Sequence, residues 1–128
     1  MAYMKDRMKE IGDLSRLLQS EFPKETRGFF NFLQEAEGGV NLKAKEKELI
    51  NVALSVAAQC EWCIAFHVQN AAKLGATRGE LIEAGFQAVV MHGGPAFMFM
   101  TRLIQAVDEF VADEAEGASA PGSDKQGS

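Results

Sequence analysis

The chain has 128 residues, 47% of them hydrophobic and 24% charged, a balance that fits one compact domain with its own core and excludes a disordered chain. A formal net charge of −5 argues against a broad phosphate-binding surface, so no nucleic-acid partner is expected. The run Lys43, Lys45, Lys47 is interleaved with Glu46 and Glu48 and reads as a solvated helix face.

From the N-terminus, Met4, Met8, Ile11, Leu14, Leu17 and Leu18 recur every three to four residues and predict an amphipathic helix over residues 3 to about 20. Pro23 suits the first turn of a second helix, where its missing N–H is not needed; that helix carries Phe29, Phe30 and Leu33 until Gly38-Gly39 stops it. Asn41 is the expected cap of a third helix through Leu49, Ile50, Val52, Ala53, Leu54, Val56 and Ala57, apolar around most of its circumference and therefore expected in the core.

A fourth helix is expected from near Cys60 to Gly75, with Cys60, Cys63, Ile64, His67, Ala71 and Leu74 on one inward stripe. Thr77 and Glu80 form a capping-box pattern ahead of Leu81, Ile82, Phe86 and Val89 in a fifth. Beyond Gly93-Gly94-Pro95 a sixth carries Phe97, Met98, Thr101, Ile104, Val107 and Val111. No stretch alternates with period two, so the expected fold is an all-α bundle of about six helices over residues 1–113, followed by a disordered tail over 114–128 rich in Ala, Gly, Ser and charge.

Charge in Met1-Ala2-Tyr3-Met4-Lys5-Asp6-Arg7 falls where a secretory signal needs an apolar run, so the expected location is the cytoplasm. Residues 84–101 lack formal charge, but His92-Gly93-Gly94-Pro95 breaks them into two helices, and no membrane association is expected. Two cysteines separated by two residues cannot form the long-range disulfide framework of a small secreted protein. In a reducing compartment that spacing points to redox or metal chemistry.

Three positions apart on a helix, Cys60 and Cys63 bring their sulfurs to one face, where the pair can cycle between dithiol and disulfide. His67, one turn past Cys63, can take the thiol proton and hold the thiolate as an ion pair. It serves Cys63 better than Cys60, which lies seven residues away, roughly 10 Å along a helix axis. A place in the first turn favours a Cys60 thiolate through the helix dipole, an effect that Glu61 partly opposes. The same residues leave zinc open as a rival, with Cys60, Cys63, His67 and either Glu48 or His92 as four ligands, although a second distinct ligand couple is missing. Two buried, inert small side chains are the bland alternative for the cysteines, an exposed helix charge for Glu48, and a structural or rim residue for His92.

Glu48, Cys60-x-x-Cys63-x-x-x-His67, Gly75-Ala76-Thr77 with Glu80-Leu81-Ile82-Glu83-Ala84, and Gly93-Gly94-Pro95-Ala96 together resemble the AhpD-like alkylhydroperoxidases of the carboxymuconolactone decarboxylase superfamily, over residues 42–111. The resemblance implies that Cys63 is oxidised to sulfenic acid by a hydroperoxide, that Cys60 passes a proton and closes the disulfide, and that Glu48 and His67 form the proton relay. It also implies a small-molecule hydroperoxide substrate, a dithiol or protein-thiol reductant, of peroxiredoxin or lipoyl type in some cases, no cofactor or metal, and a homo-oligomer, trimer or hexamer. Some AhpD proteins carry a second histidine before the second cysteine; here Trp62 stands there, cannot take a proton, and is expected to shield the site or pack on a neighbour.

On one continuous helix Glu48 lies about 18 Å from Cys60 along the axis and cannot touch His67. The relay therefore requires a break between Ala57 and Cys60, which no Gly or Pro marks. The alternatives to a peroxidase are a general disulfide reductase with the same residues, a lactone-decarboxylase-type lyase, for which the cysteine pair is superfluous, and a non-catalytic Cys2His zinc or assembly module.

Overall fold

The structure, a computed structural model, describes residues 2–119. Among them are six helices and no strand: α1 (Tyr3–Glu21), α2 (Pro23–Glu37), α3 (Ala44–Ala57), α4 (Glu61–Lys73), α5 (Arg78–His92) and α6 (Gly94–Ser119). The all-α bundle expected from the sequence is the fold.

The helix ends show why the elements fall where they do. Pro23 opens α2 directly after Phe22, whose N–H still bonds the Leu18 carbonyl at 2.7 Å, and the Thr26 hydroxyl donates to the same carbonyl at 3.1 Å. These two bonds fold α2 back beside α1. Lys47 donates its ammonium to the carbonyls of Ala36, Glu37 and Gly39, satisfying acceptors that the end of α2 leaves free. Asn41 is not the cap of α3: the chain bends through residues 40–42, Lys43 with its extended backbone is the N-cap, and Glu46 accepts from the Lys43 N–H at 2.9 Å. The carboxylate of the first turn has taken the place of the expected side-chain cap.

The capping box of α5 is present in both directions, Glu80 N–H to Thr77 Oγ1 at 3.1 Å and Thr77 N–H to Glu80 Oε1 at 2.9 Å. That bond from Thr77, then Lys45, hold the Glu80 carboxyl below its ordinary range. Gly75 ends α4 at φ 89°, with the Ala76 N–H reaching the Ala71 carbonyl at 3.0 Å, the wrapped C-terminal turn that glycine permits without strain.

The core is built from α3, α4, α5 and α6. Val52 and Val56 of α3, Ile64, Ala65, Val68 and Ala71 of α4, Leu81 and Ala88 of α5, and Leu103, Ala106, Val107 and Phe110 of α6 are buried together. Helix α4 packs on α3 and α6, and α1 lies across α4, while α2 leans on α1. The inward stripe of α4 is therefore Ile64, Ala65, Val68 and Ala71; Cys63 and His67 sit on its flank, half-buried, rather than in the stripe itself.

Three further expectations shift in the structure. Of the apolar stripe on α1 only Met4 is buried, and Leu14 is 55% exposed, because α2 covers that face only in part. Helix α3 sends Val52 and Val56 inward but leaves Ile50 and Leu54 exposed, since α4 and α5 cover only part of its circumference. Where a tail was expected from residue 114, α6 runs on to Ser119, through alanines and glutamates that favour helix; residues 120–128 of that expectation lie outside the described residues.

Helix α6 packs tightly over Gly85 of α5. A Cβ placed there meets the Met100 sulfur at 2.8 Å and collides with Leu103. Substituting Gly85→Ala gains helix propensity but overpacks the α5–α6 contact, with an expected net loss of about 1–3 kcal/mol, read as a Tm several degrees lower in thermal unfolding. An unchanged or raised Tm would show that the two helices separate without cost.

Candidate active site

The break between α3 and α4 is made by Gln59, which takes φ 56°. Around it the Gln59 N–H bonds the Val56 carbonyl at 3.1 Å and the Cys60 N–H bonds the Ser55 carbonyl at 3.2 Å. This is the Schellman arrangement, with glutamine in the left-handed position that glycine usually fills. It turns the chain so that α4 runs back along α3. Glu48, one residue into the second turn of α3, and His67, on the second turn of α4, then face each other.

The two meet at 2.7 Å, His67 Nδ1 to Glu48 Oε1. Glu48 is only 8% exposed, and a carboxylate held there is compensated by its hydrogen-bond partners rather than by water. Asn51, one turn along α3, donates its amide to Glu48 at 3.4 Å and to both carboxylate oxygens of Glu37 at 3.3 and 3.2 Å, joining the end of α2 to the pair. With Nδ1 committed to Glu48, Nε2 is the ring nitrogen left for chemistry. The Phe66 ring meets the imidazole edge-on at 5.1 Å between centroids.

Cys60 is the N-cap of α4, and its sulfur accepts the Cys63 N–H at 3.1 Å. A disulfide joins Cys60 and Cys63, whose Cα atoms are 5.2 Å apart. The N-terminal end of a helix stabilises negative charge on a capping atom, so on reduction the Cys60 thiolate is favoured by position alone. Cys63, His67 and Glu48 all line one cavity of about 1010 Å³ between the α1–α2 pair and α3 and α4. Cys60 is not on its wall, so the sulfur that an entering molecule meets is that of Cys63.

The structure thus brings together all four residues that the sequence singled out, Glu48, Cys60, Cys63 and His67. His92, the last residue of α5, lies outside this cavity. Among the described residues no group of three or more His, Cys, Asp or Glu side chains is placed to hold a metal ion.

Sequence reasoning did not find the cluster around Glu61. Its carboxylate accepts from the Tyr3 hydroxyl at 2.5 Å, with Arg7 at 3.5 Å and Arg102 at 3.7 Å. Both guanidinium groups stack on Tyr3, at 4.5 and 4.4 Å from the ring centroid. Trp62 donates its indole N–H to Glu10 at 2.8 Å, which pins it beside α1 at the cavity wall. These partners lie up to 58 positions away in the chain, and no spacing rule reaches that far. Asn51, by contrast, follows Glu48 by three residues and shares its helix face, a signal that was available.

Arg7 and Arg102 offset the charge of Glu61, the residue that follows Cys60. Replacing Arg102 with Met leaves that carboxylate less compensated at the start of α4, where it works against a thiolate on the cap. Alkylation of the reduced protein by iodoacetamide at neutral pH is then expected to slow about two- to threefold. An unchanged rate would show that Glu61 is already silent at the thiol.

The profile of the carboxymuconolactone decarboxylase family matches residues 23–106. An uncharacterized protein of Cupriavidus necator is 32% identical over 105 residues, 82% of this chain and 93% of its own length. Uncharacterized protein 4 in the cox locus of Paracoccus denitrificans is 37% identical over 68 residues, 53% of this chain; the match spans 61% of that relative's length. In three dimensions, the crystal structure of an apo carboxymuconolactone decarboxylase family protein from Legionella pneumophila superimposes with a TM-score of 0.83 at 39% identity, covering 87% of this chain and 99% of the other. With that profile match and that fold, the chain belongs to the carboxymuconolactone decarboxylase family, in keeping with the AhpD-like pattern of its site.

Proposed function

We propose that this protein is a cytoplasmic thiol peroxidase of the alkylhydroperoxidase type. The observation that carries the reading is the Glu48–His67 pair, closed at 2.7 Å on the same cavity wall as Cys63 of a CxxC disulfide. In the reduced protein, Nε2 of His67 takes the Cys63 proton while Glu48 holds the ring and stabilises the imidazolium. The Cys63 thiolate attacks the terminal oxygen of the hydroperoxide; the O–O bond breaks, and the alkoxide leaves as alcohol with the proton from His67. Cys63 is now a sulfenic acid. The Cys60 thiolate attacks its sulfur, the S–S bond forms, and hydroxide leaves as water with the proton given up by Cys60. Hydroperoxide and two thiols have become alcohol, water and a disulfide, and a dithiol donor must return two electrons and two protons.

The oxidised Cys60–Cys63 pair also supports a second reading, a disulfide oxidoreductase that exchanges with a protein thiol through the same residues. A lyase of the lactone-decarboxylase type has no use for the pair. Cys63→Ser is expected to abolish peroxide consumption in a dithiol-coupled assay, and Glu48→Gln to lower kcat by about 10²-fold with little change in KM. Peroxide turnover that survives in Cys63→Ser would overturn the thiol mechanism.

The protein is further proposed to work as a homo-oligomer, a trimer or hexamer. Val90 and Met91, 74% and 79% exposed, flank the α5–α6 turn together with exposed Phe97 and Met98, so large apolar side chains are left to solvent on both sides of one turn. Light scattering is expected to give a multiple of the 13.9 kDa chain mass. A monomer at micromolar concentration would refute it.

A further inference from the structure

The cavity that Cys63 lines is far larger than a peroxide group needs. Its volume of about 1010 Å³ stands at the top of the range of roughly 300–1,000 Å³ for sites that take drug-sized molecules, against about 30 Å³ for a water-sized one. Its wall is apolar, with Leu14 and Leu18 from α1, Phe29 and Phe30 from α2, and Trp62 and Phe66 from α4. Besides Cys63, the titratable groups on it are Glu25, Glu37 and Glu48 with His67; among the described residues no lysine or arginine lines it. Glu48 is occupied by His67 and Asn51, and Glu37 by Asn51, so neither is free to take a cationic ligand. What remains is an apolar trough with negative charge along it.

We propose that this trough binds an uncharged, elongated, apolar molecule and presents its reactive end to Cys63, and, resting on the peroxidase reading, that the substrate is the hydroperoxide of a neutral lipid-like chain. A free carboxylate or phosphate on the chain meets Glu25 and Glu37 with no lysine or arginine on the wall to offset them, and His67 is already held by Glu48, so such a chain is rejected. A small peroxide leaves the apolar wall unused, so its turnover gains nothing from chain burial.

The groove is tested without any turnover by the emission of Trp62, the one tryptophan of the chain and a wall residue. In the full-length disulfide form, a series from 1-hexanol to 1-decanol is expected to shift the emission, with affinity rising about two- to fourfold per methylene. Decanoate is expected to bind at least tenfold more weakly than 1-decanol. Leu14→Gln, at an exposed position whose change does not threaten the core, is expected to weaken 1-decanol by severalfold. In the reduced protein with a dithiol donor, the methyl ester of a linoleate hydroperoxide is expected to exceed both the free-acid hydroperoxide and hydrogen peroxide at least tenfold in kcat/KM.

Decanoate binding as tightly as 1-decanol, or an emission that no alcohol shifts, overturns the assignment. So does 1-decanol binding that appears only as an oligomer dissociates on dilution, because a second copy then fills the trough. Alcohol binding with the expected chain-length and charge dependence, in a protein that consumes none of the peroxides, upholds the ligand class and removes the peroxidase reading instead.

Discussion

Gln59 holds a left-handed backbone that disfavours a residue with a Cβ by roughly 1–2 kcal/mol, and the site depends on that conformation. The cost is offset by the turn that it closes. Its own N–H, that of Ala58 and that of Cys60 all find carbonyls in the last turn of α3, at 3.1, 2.9 and 3.2 Å, so no donor is stranded where two helices meet. Cys60 then serves two helices at once: its backbone finishes α3 and its sulfur caps α4. A straight helix through this point sends the α4 residues away from Glu48. Reversal at Gln59 instead sets the α3 carboxylate against the α4 imidazole and points the helix N-terminus at the thiol.

Much of this was readable in the sequence where the signal is local. The Thr77–Glu80 box and Gly75 mark helix ends by mechanisms confined to four or five residues, and both hold in the structure. The need for a break between Ala57 and Cys60 was legible from the distance between Glu48 and His67, but its location was not, because the left-handed position is filled by a glutamine that carries no turn signal of its own. Asn41 misled for a related reason: a good capping residue competes with whatever else can satisfy the first N–H groups, and Glu46 does so from inside the helix. The Glu61 cluster was invisible, since Tyr3, Arg7 and Arg102 come to it only through the packing of α1 and α6 on α4.

Apolar periodicity reports which face of a helix avoids water, and it is silent on what covers that face. Helices α1 and α2 follow the pattern faithfully, yet beyond Met4, which is buried in the core, much of their apolar sides lines an open trough. The core is closed instead by the small residues of α4, Ala65, Ala71 and Ala72, which let α3 and α6 approach the central helix, and by Phe110 from α6. With the core closed mainly by α3 to α6 and only Met4 of α1 buried in it, the rest of the α1–α2 pair is free to shape the cavity in front of Cys63. Asn51 ties the two parts together, bridging a carboxylate at the end of α2 to the one that orients His67.

Glu61 is the second point at which structure and reactivity coincide. A carboxylate in the first turn of a helix favours the helix but works against a thiolate on the adjoining cap. Here it draws in Arg7 and Arg102, and with Glu10 beside Arg7 at 2.7 Å the group holds two negative and two positive charges. The half-buried Tyr3 ring between the two guanidinium planes strengthens the balance, because attraction to the ring face adds to the ion pairs as water is excluded. The same contacts fasten α1 and α6 to the start of α4. Anchoring the N-terminus of α4 and keeping it electropositive toward Cys60 are therefore one task, carried out by residues that never touch the sulfur; loosening either arginine disturbs the position of α1 along the cavity and the charge felt by the thiol together.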